Sequence, residues 1–99
     1  MLKISKQLED GKAYVSLEGE LNTVTASDFR DEVQGFIDGV TDFTIDMKDL
    51  VYITSAGLRV LLWIVQTMED QGELRVLNVC EDVMDVFEVS GFTEVLNLE

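Results

Sequence analysis

The sequence predicts an α/β fold: a single domain over residues 1–99, with a small mixed, mostly parallel sheet that begins with an antiparallel hairpin and has helices packed on it. Two observations predict this fold. Segments with alternating apolar residues and segments with apolar residues at helical spacing follow one another as strand, strand, helix, strand, helix, strand, helix. The chain also has no proline and no internal repeat that would interrupt this order.

The N-terminal hairpin is predicted from two alternating segments, residues 2–8 and residues 13–17. The dipeptide Asp10-Gly11 lies between them, and Asp-Gly is a strong signal for a tight turn between antiparallel strands. We therefore expect the first two strands to pair directly.

The first helix is predicted to follow residues 22–27, a segment that is rich in residue types that favour helix N-caps. Its apolar face has the spacing i, i+4, i+7, i+8, i+11, and Gly39 is the expected end of the helix. The residues of that face are Phe29, Val33, Phe36, Ile37 and Val40. Alternation resumes at residues 43–47, so the helix connects two strands, and such a crossover implies parallel pairing.

The second half of the chain repeats this arrangement. Residues 48–55 are expected to form a short connection, and residues 56–68 a helix that is apolar on almost every side. A further parallel strand is expected at residues 74–77, followed by a short helix that ends near Ser90-Gly91. The last apolar residues, 92–98, have no clear period, and their structure stays open.

Composition and charge limit the classes of function. Twenty acidic and seven basic residues give a net charge of −13, which argues against binding to nucleic acid or to anionic membranes. The charge either serves solubility or favours a partner with a basic docking face. The chain has one cysteine, Cys80, and no apolar stretch of transmembrane length or apparent signal peptide, so we expect a cytoplasmic protein.

The segment from Asp49 to Leu58 is the most informative one, because it follows a predicted parallel strand and enters an apolar helix. Ligands and partners of open α/β sheets meet the protein at this end of the strands. Ser55 is expected at the N-cap, where its hydroxyl would accept an amide hydrogen bond. The same position would suit a phosphate, because a helix N-terminus attracts anions. Gly57 suggests that some group approaches the backbone closely there.

These residues carry a resemblance. Asp49-Leu50 and Ile53-Thr54-Ser55-Ala56-Gly57-Leu58, with Gly19-Glu20-Leu21-Asn22 earlier in the chain, resemble the STAS domain of bacterial anti-sigma factor antagonists. The similarity extends over essentially the whole chain and includes residues 86–92. The isolated segment Ser55 to Leu58 would be weak evidence, whereas both loops in the same strand and helix pattern make the resemblance specific.

The resemblance implies a partner-switching protein without catalytic activity, metal or cofactor. Ser55 would be phosphorylated by an anti-sigma factor that is itself a serine kinase, and a serine phosphatase would remove the phosphate. The unphosphorylated chain would bind the kinase and release the sigma factor. The expected partner-binding residues lie in the two loops and the first turns of the second helix: Asn22, Thr23, Thr54, Ser55, Ala56, Gly57 and Arg59.

The sequence departs from the family pattern at two positions, Asn22 and Thr54, where members often have Asp. Both departures remove a carboxylate beside the expected phosphate and would ease like-charge repulsion. Thr54 is itself an alternative phosphate acceptor.

Several alternatives stay open at this point. Trp63 either packs in the core or anchors a partner. Five acidic residues form either a solvated surface or a metal cluster: Asp28, Asp31, Glu32, Asp46 and Asp49. The domain could instead be a structural or regulatory subunit of a transport system or signalling complex. An acyl carrier protein is disfavoured by the alternating segments, and an enzyme by the lack of any histidine base. The sequence predicts no oligomeric state.

Overall fold

The chain folds in the predicted order of elements, and the computed structural model describes all of residues 1–99. The elements are β1 (Leu2–Glu9), β2 (Lys12–Leu21), α1 (Thr23–Gln34), β3 (Asp42–Ile53), α2 (Ser55–Glu69), β4 (Glu73–Leu77), α3 (Glu81–Ser90) and a 3-10 turn (Phe92–Glu94). One sheet contains the four strands in the order β1-β2-β3-β4. The pair β1/β2 is antiparallel and the other two pairs are parallel, which confirms the predicted fold class.

The hairpin turn lies where the Asp-Gly pair predicts it. Asp10 and Gly11 both have positive φ angles, 47° and 78°, as a two-residue turn between twisted antiparallel strands requires. This turn sets the register that pairs Leu8 with Ala13. The hairpin turn therefore lies at the opposite end of the sheet from the carboxyl ends of β2 and β3.

The core forms where the helices cover the sheet. Alternate residues of β3, from Phe43 to Met47, are fully buried, whereas Thr44 and Asp46 between them are half-buried. The apolar stripes of α1 and α2 complete this core with side chains that include Phe29, Val33, Leu61 and Ile64. Burial of this apolar area is the main favourable term for the fold.

The first helix ends earlier than its apolar spacing predicts. It stops at Gln34 rather than Gly39, although Ile37 and Val40 remain buried in the turns that follow. The side-chain amide of Gln71 donates hydrogen bonds to the carbonyl oxygens of Ile37 and Val40, at 3.0 Å and 2.7 Å. This distant residue therefore binds carbonyl oxygens of the turns that follow α1.

The third strand is longer than predicted, because residues 48–53 belong to β3 and not to a connection. The spacing of its buried residues changes along the strand: after Met47 the next buried residues are Leu50 and Ile53. The pairing of β2 with β3 shifts register twice in this region, between Ser16 and Glu18 and between Gly19 and Glu20. These irregularities remove the alternation by which a strand is recognised in a sequence.

The last residues cover the outer edge of β4. After the 3-10 turn, Leu98 forms a parallel bridge with Val76, and the backbone of Val76 exchanges hydrogen bonds with Asn97 and Glu99. This protects an edge that would otherwise present unpaired backbone groups. None of the helices is both long enough and apolar enough to span a bilayer.

Candidate functional site

The two loops identified in the sequence lie side by side at the carboxyl ends of β2 and β3. Leu21 ends β2 and Ile53 ends β3, and these two residues are register partners. The amide of Thr54 donates a hydrogen bond to the carbonyl of Leu21 at 3.0 Å, so the two strand ends are joined directly. Each strand is followed at once by a helix, whose N-caps are Asn22 for α1 and Thr54 for α2.

The start of α1 is capped by side chains. The Asn22 side-chain oxygen accepts bonds from the amides of Val24 and Thr25, both at 3.0 Å. The Thr25 hydroxyl accepts a bond from the Asn22 amide at 2.9 Å and donates one to the Glu20 carbonyl at 2.7 Å. This is a capping box in which threonine takes the place of the usual Glu or Gln. Asn22 therefore has a structural role that a neutral amide fulfils without a carboxylate.

The start of α2 is different, and the prediction of Ser55 as its N-cap is wrong. Thr54 occupies the N-cap with extended backbone angles, but its side chain makes no capping hydrogen bond. Its hydroxyl oxygen is buried and has no hydrogen-bond partner. Because Thr54 follows directly on the end of β3 and its amide is bound to Leu21, α2 begins at Ser55 itself, one residue earlier than a Ser55 cap would require.

Ser55 is the first helical residue of α2, and its side chain is exposed. Its hydroxyl makes no hydrogen bond with the rest of the chain, whereas Ser27 and Ser90 each donate one to a helix carbonyl. The first turn of α2 contains no acidic residue, and its amides have no side-chain acceptor. The hydroxyl is thus accessible from solvent at the positive end of a helix.

Contacts within the chain explain why position 57 is a glycine. A Cβ atom there would lie 2.7 Å from Cγ1 of Ile53 and 2.8 Å from Cγ of Leu21. The groups that approach the backbone are therefore the last side chains of β3 and β2. Gly57 is buried, so it allows the first turn of α2 to pack against both strand ends.

The remaining predicted residues surround this start. Thr23 and Arg59 are exposed, Ala56 is half-buried, and Arg59 forms no ion pair. Trp63 is half-buried and packs against the core, and the Arg30 guanidinium lies 4.6 Å from the centre of its ring. Arg30 belongs to α1 and Trp63 to α2, so this cation–π contact joins the two helices, in agreement with a packing role for Trp63.

The acidic residues considered as metal ligands do not converge. No group of three or more carboxylate or thiol side chains is arranged to hold a metal ion. Asp46 instead accepts hydrogen bonds from the Tyr14 hydroxyl at 2.7 Å, the Asn78 amide at 3.1 Å and the Lys48 backbone amide at 2.9 Å. Burial alone would raise the pKa of Asp46, but these hydrogen bonds outweigh it and lower the pKa. The bond to Asp46 raises the pKa of Tyr14.

An apolar groove beside Ser55 was not foreseen from the sequence. It has a volume of about 480 Å³ and lies between the junction of β3 and α2 on one side and α3 on the other. The residues that line it are Tyr52, Ile53, Thr54, Ser55, Leu58, Asp85, Val86, Val89 and Ser90. One signal was present: α3 buries Val83 and Phe87, so Val89 is an additional apolar residue outside the core-facing positions.

Known proteins are similar to this chain in both sequence and fold. The STAS domain family matches residues 3–99. BtrV of Bordetella bronchiseptica, a protein named as an anti-sigma factor antagonist, is 33% identical over 96 residues, which cover 95% of this chain and 83% of BtrV. The crystal structure of an anti-sigma factor antagonist from Mycobacterium paratuberculosis has a TM-score of 0.89 at 19% identity, and the match covers 99% of this chain and 85% of that one.

Bacillus SpoIIAA has the same fold. Its unphosphorylated form gives a TM-score of 0.74 at 18% identity, with 100% of this chain and 87% of SpoIIAA covered. Its phosphorylated form gives 0.75 at 20% identity, with 98% and 91% covered. The resemblance inferred from the two loops is confirmed: the chain belongs to the STAS domain family, and the relatives described above are named as anti-sigma factor antagonists.

Proposed function

We propose that this protein is an anti-sigma factor antagonist whose binding to an anti-sigma factor serine kinase is controlled by phosphorylation of Ser55. In its unphosphorylated form it binds the kinase, and the kinase then releases its sigma factor. The chain acts as a binding partner and substrate, not as a catalyst. Because the exchange uses ATP and a transcription factor, we place it in the cytoplasm.

The observation that carries this proposal is the state of the Ser55 hydroxyl. It is exposed, makes no hydrogen bond and lies at the first position of a 15-residue helix. The neighbouring alternative, Thr54, has a buried hydroxyl oxygen that an enzyme cannot reach without local opening. Accessibility therefore favours Ser55 as the acceptor.

The chemistry of the cycle is a pair of opposite phosphoryl transfers. The kinase transfers the γ-phosphoryl group of ATP to the Ser55 oxygen, and ADP and a proton leave. The phosphatase uses water to cleave the phosphoserine bond, which restores the hydroxyl and releases inorganic phosphate. Each step is catalysed by the partner, so the chain needs only to present Ser55.

The fold is suited to carry the phosphate. A phosphoserine adds about −1.5 to −2 charges at neutral pH, and at a helix N-terminus this charge interacts favourably with the dipole. Between Leu50 and Met68 there is no acidic residue, so the added charge meets no close acid along α2. The modification is therefore expected to change the surface offered to partners while leaving the fold intact. SpoIIAA, which shares this fold, has been solved in both states.

The surface around Ser55 defines the proposed contact region. Thr23 and Arg59 are exposed there, and Asn22, Thr54 and Ala56 are half-buried. Gly57 contributes through packing, since its own atoms are buried. We expect the kinase to cover the starts of both α1 and α2, because the Thr54–Leu21 hydrogen bond holds them side by side.

The test uses the purified chain, the serine kinase encoded nearest to its gene and Mg-ATP, with the phosphate mapped by mass spectrometry. We expect one phosphate, on Ser55, and none on the Ser55→Ala variant. Ser27→Ala is the matched control, because Ser27 is also an exposed serine early in a helix but its hydroxyl is already hydrogen-bonded. Kinase binding is measured in parallel, and Ser55→Asp is expected to weaken it.

Two results would contradict the proposal. One is phosphate on Thr54 or elsewhere with Ser55 unmodified. The other is a kinase complex that Ser55→Asp leaves unchanged, with no phosphate found on Ser55. The second result would favour a structural or regulatory role in a transport system or signalling complex.

A further inference from the structure

The groove beside Ser55 has an unusual combination of exposed apolar side chains. Val89 is 91% exposed and Tyr52 is 49% exposed, although both are large apolar or aromatic residues. They line the groove together with the half-buried side chains of Leu58 and Val86. A contiguous exposed apolar surface of this kind is typical of an interaction site.

The two walls of the groove differ in charge. The wall formed by the end of β3 and the start of α2 is free of acidic residues, because none occurs between Leu50 and Met68. The wall formed by α3 is acidic, and no lysine or arginine follows Arg75 in the chain. The exposed acids of α3 are Glu81, Asp82, Asp85 and Glu88, of which Asp85 lines the groove itself.

From this asymmetry we propose that the groove binds an amphipathic segment of the kinase partner, with apolar residues that fill it and lysine or arginine residues that face α3. This inference rests on the proposed function, because it takes the kinase as the occupant. Apolar side chains would supply most of the affinity, since they replace water on Tyr52, Leu58, Val86 and Val89. The basic residues would speed association and fix the orientation of the segment against the acidic wall.

This arrangement also explains how a phosphate could release the partner from an acidic chain. Ser55 lines the groove on its uncharged wall, so the basic residues of the segment lie on the opposite side. A phosphate on Ser55 would meet the apolar residues of the segment and would lose hydration without gaining a cation. The added charge therefore weakens binding here, although the segment carries positive charge.

The test measures the affinity of the purified kinase for variants of the full chain by isothermal titration calorimetry. We expect Val89→Asp to weaken binding about tenfold or more, because it places a carboxylate in the apolar contact. Leu8→Asp is the matched control. Leu8 is 49% exposed and lies at the opposite end of the sheet, so its replacement is expected to leave the affinity unchanged.

The charge of the α3 wall is tested separately. Asp85→Lys is expected to slow association and to reduce the dependence of affinity on salt between about 50 and 500 mM NaCl. Asp38→Lys makes the same change of charge near the hairpin turn, at the other end of the sheet, and is expected to have a smaller effect on the association rate. Circular dichroism and thermal melting check that each variant is folded.

The results separate the two proposals. If Val89→Asp and Asp85→Lys both leave kinase binding unchanged, the proposal that the groove binds the kinase is overturned. The proposal that Ser55 is the switch is not affected by that result. If Val89→Asp weakens kinase binding but no phosphate is found on Ser55, the proposed Ser55 switch is overturned and the proposed groove site is supported. If the wild-type chain does not bind the kinase at all, both proposals fail.

Discussion

The helices α1 and α2 start side by side at the same edge of the sheet, yet their first turns differ in hydrogen bonding. At the start of α1, Asn22 and Thr25 satisfy each other and the backbone around them. At the start of α2, the Thr54 hydroxyl has no partner and the Ser55 hydroxyl is free. The comparison separates a helix start that is stabilised by side-chain caps from one that has no side-chain cap and whose first residue, Ser55, is exposed.

The difference extends to packing. Thr25 is the buried polar residue of the α1 start, and its hydroxyl is hydrogen-bonded to Asn22 and to Glu20. At the start of α2, Gly57 has no side chain, and this allows the helix to pack directly on the ends of β2 and β3. The α2 start therefore depends on close packing rather than on capping. Predictions about folding free energy can test this division, because each start offers a matched substitution.

A large effect on stability is expected at Gly57. Gly57→Ala places a Cβ atom within 3.0 Å of Ile53 and Leu21, and such overpacking costs about 1–3 kcal/mol in stability, more than alanine gains in helix propensity. Urea denaturation measures the loss.

Gly35 at the end of α1 is the control for this substitution. Its φ angle is −69°, and a Cβ atom there would have its nearest contact at 3.4 Å. Gly35→Ala is therefore expected to be neutral or to stabilise by up to about 1 kcal/mol. If both variants behave alike, the α2 start does not depend on close packing at Gly57.

The two threonines should respond to valine in opposite directions. Thr25→Val leaves the Asn22 amide and the Glu20 carbonyl without a partner and is expected to destabilise by about 1–3 kcal/mol. Thr54→Val removes a buried hydroxyl that has no partner, so a gain of up to about 1 kcal/mol is expected. Urea midpoints measured under one set of conditions decide between these signs. A loss at Thr54 as large as that at Thr25 would show that Thr54 has an unrecognised partner.

A smaller effect is expected at Asn22. Asn22→Ala removes the acceptor for the Val24 and Thr25 amides and is expected to cost about 1 kcal/mol. Asn22→Asp keeps that acceptor and adds a charge at the helix N-terminus, so it should retain wild-type stability at neutral pH. Thermal melting of both variants is the measurement. Equal losses in the two would mean that the side chain acts in some way other than as a cap.

The sequence predicted those features that depend on local pattern. The hairpin turn at Asp10-Gly11 and the order of the elements follow from residues close to one another in the chain. The turns that replace the predicted last part of α1 could not be predicted in this way, because Gln71, more than thirty residues away, donates hydrogen bonds to two of their carbonyls. The extension of β3 was missed because register shifts against β2 remove the alternation.

The candidate site also has some features that local pattern predicts and others that depend on tertiary contacts. Ser55 could be singled out because it belongs to a contiguous motif that resembles a known family. Its exposure and free hydroxyl, and the N-cap position of Thr54, depend on the hydrogen bond between Thr54 and Leu21 of another strand. The sequence offered only the surplus apolar residue Val89 as a signal for the groove, since the walls of the groove come from two segments about thirty residues apart. Local pattern thus identified the residue, and tertiary contacts determined its surroundings.

The smallest effect on folding is expected at Ser55, and this makes it the sharpest test of the comparison. Ser55→Ala removes a hydroxyl that makes no hydrogen bond, so the free energy of unfolding should change by less than about 0.5 kcal/mol, the range typical of surface substitutions. In the kinase assay the same variant should lose all phosphate incorporation. Asn22→Ala, in contrast, should show a measurable loss of stability, because it removes the acceptor for two backbone amides. If Ser55→Ala destabilised the chain as much as Asn22→Ala does, Ser55 would be contributing to helix capping, and the contrast between the two helix starts would fail.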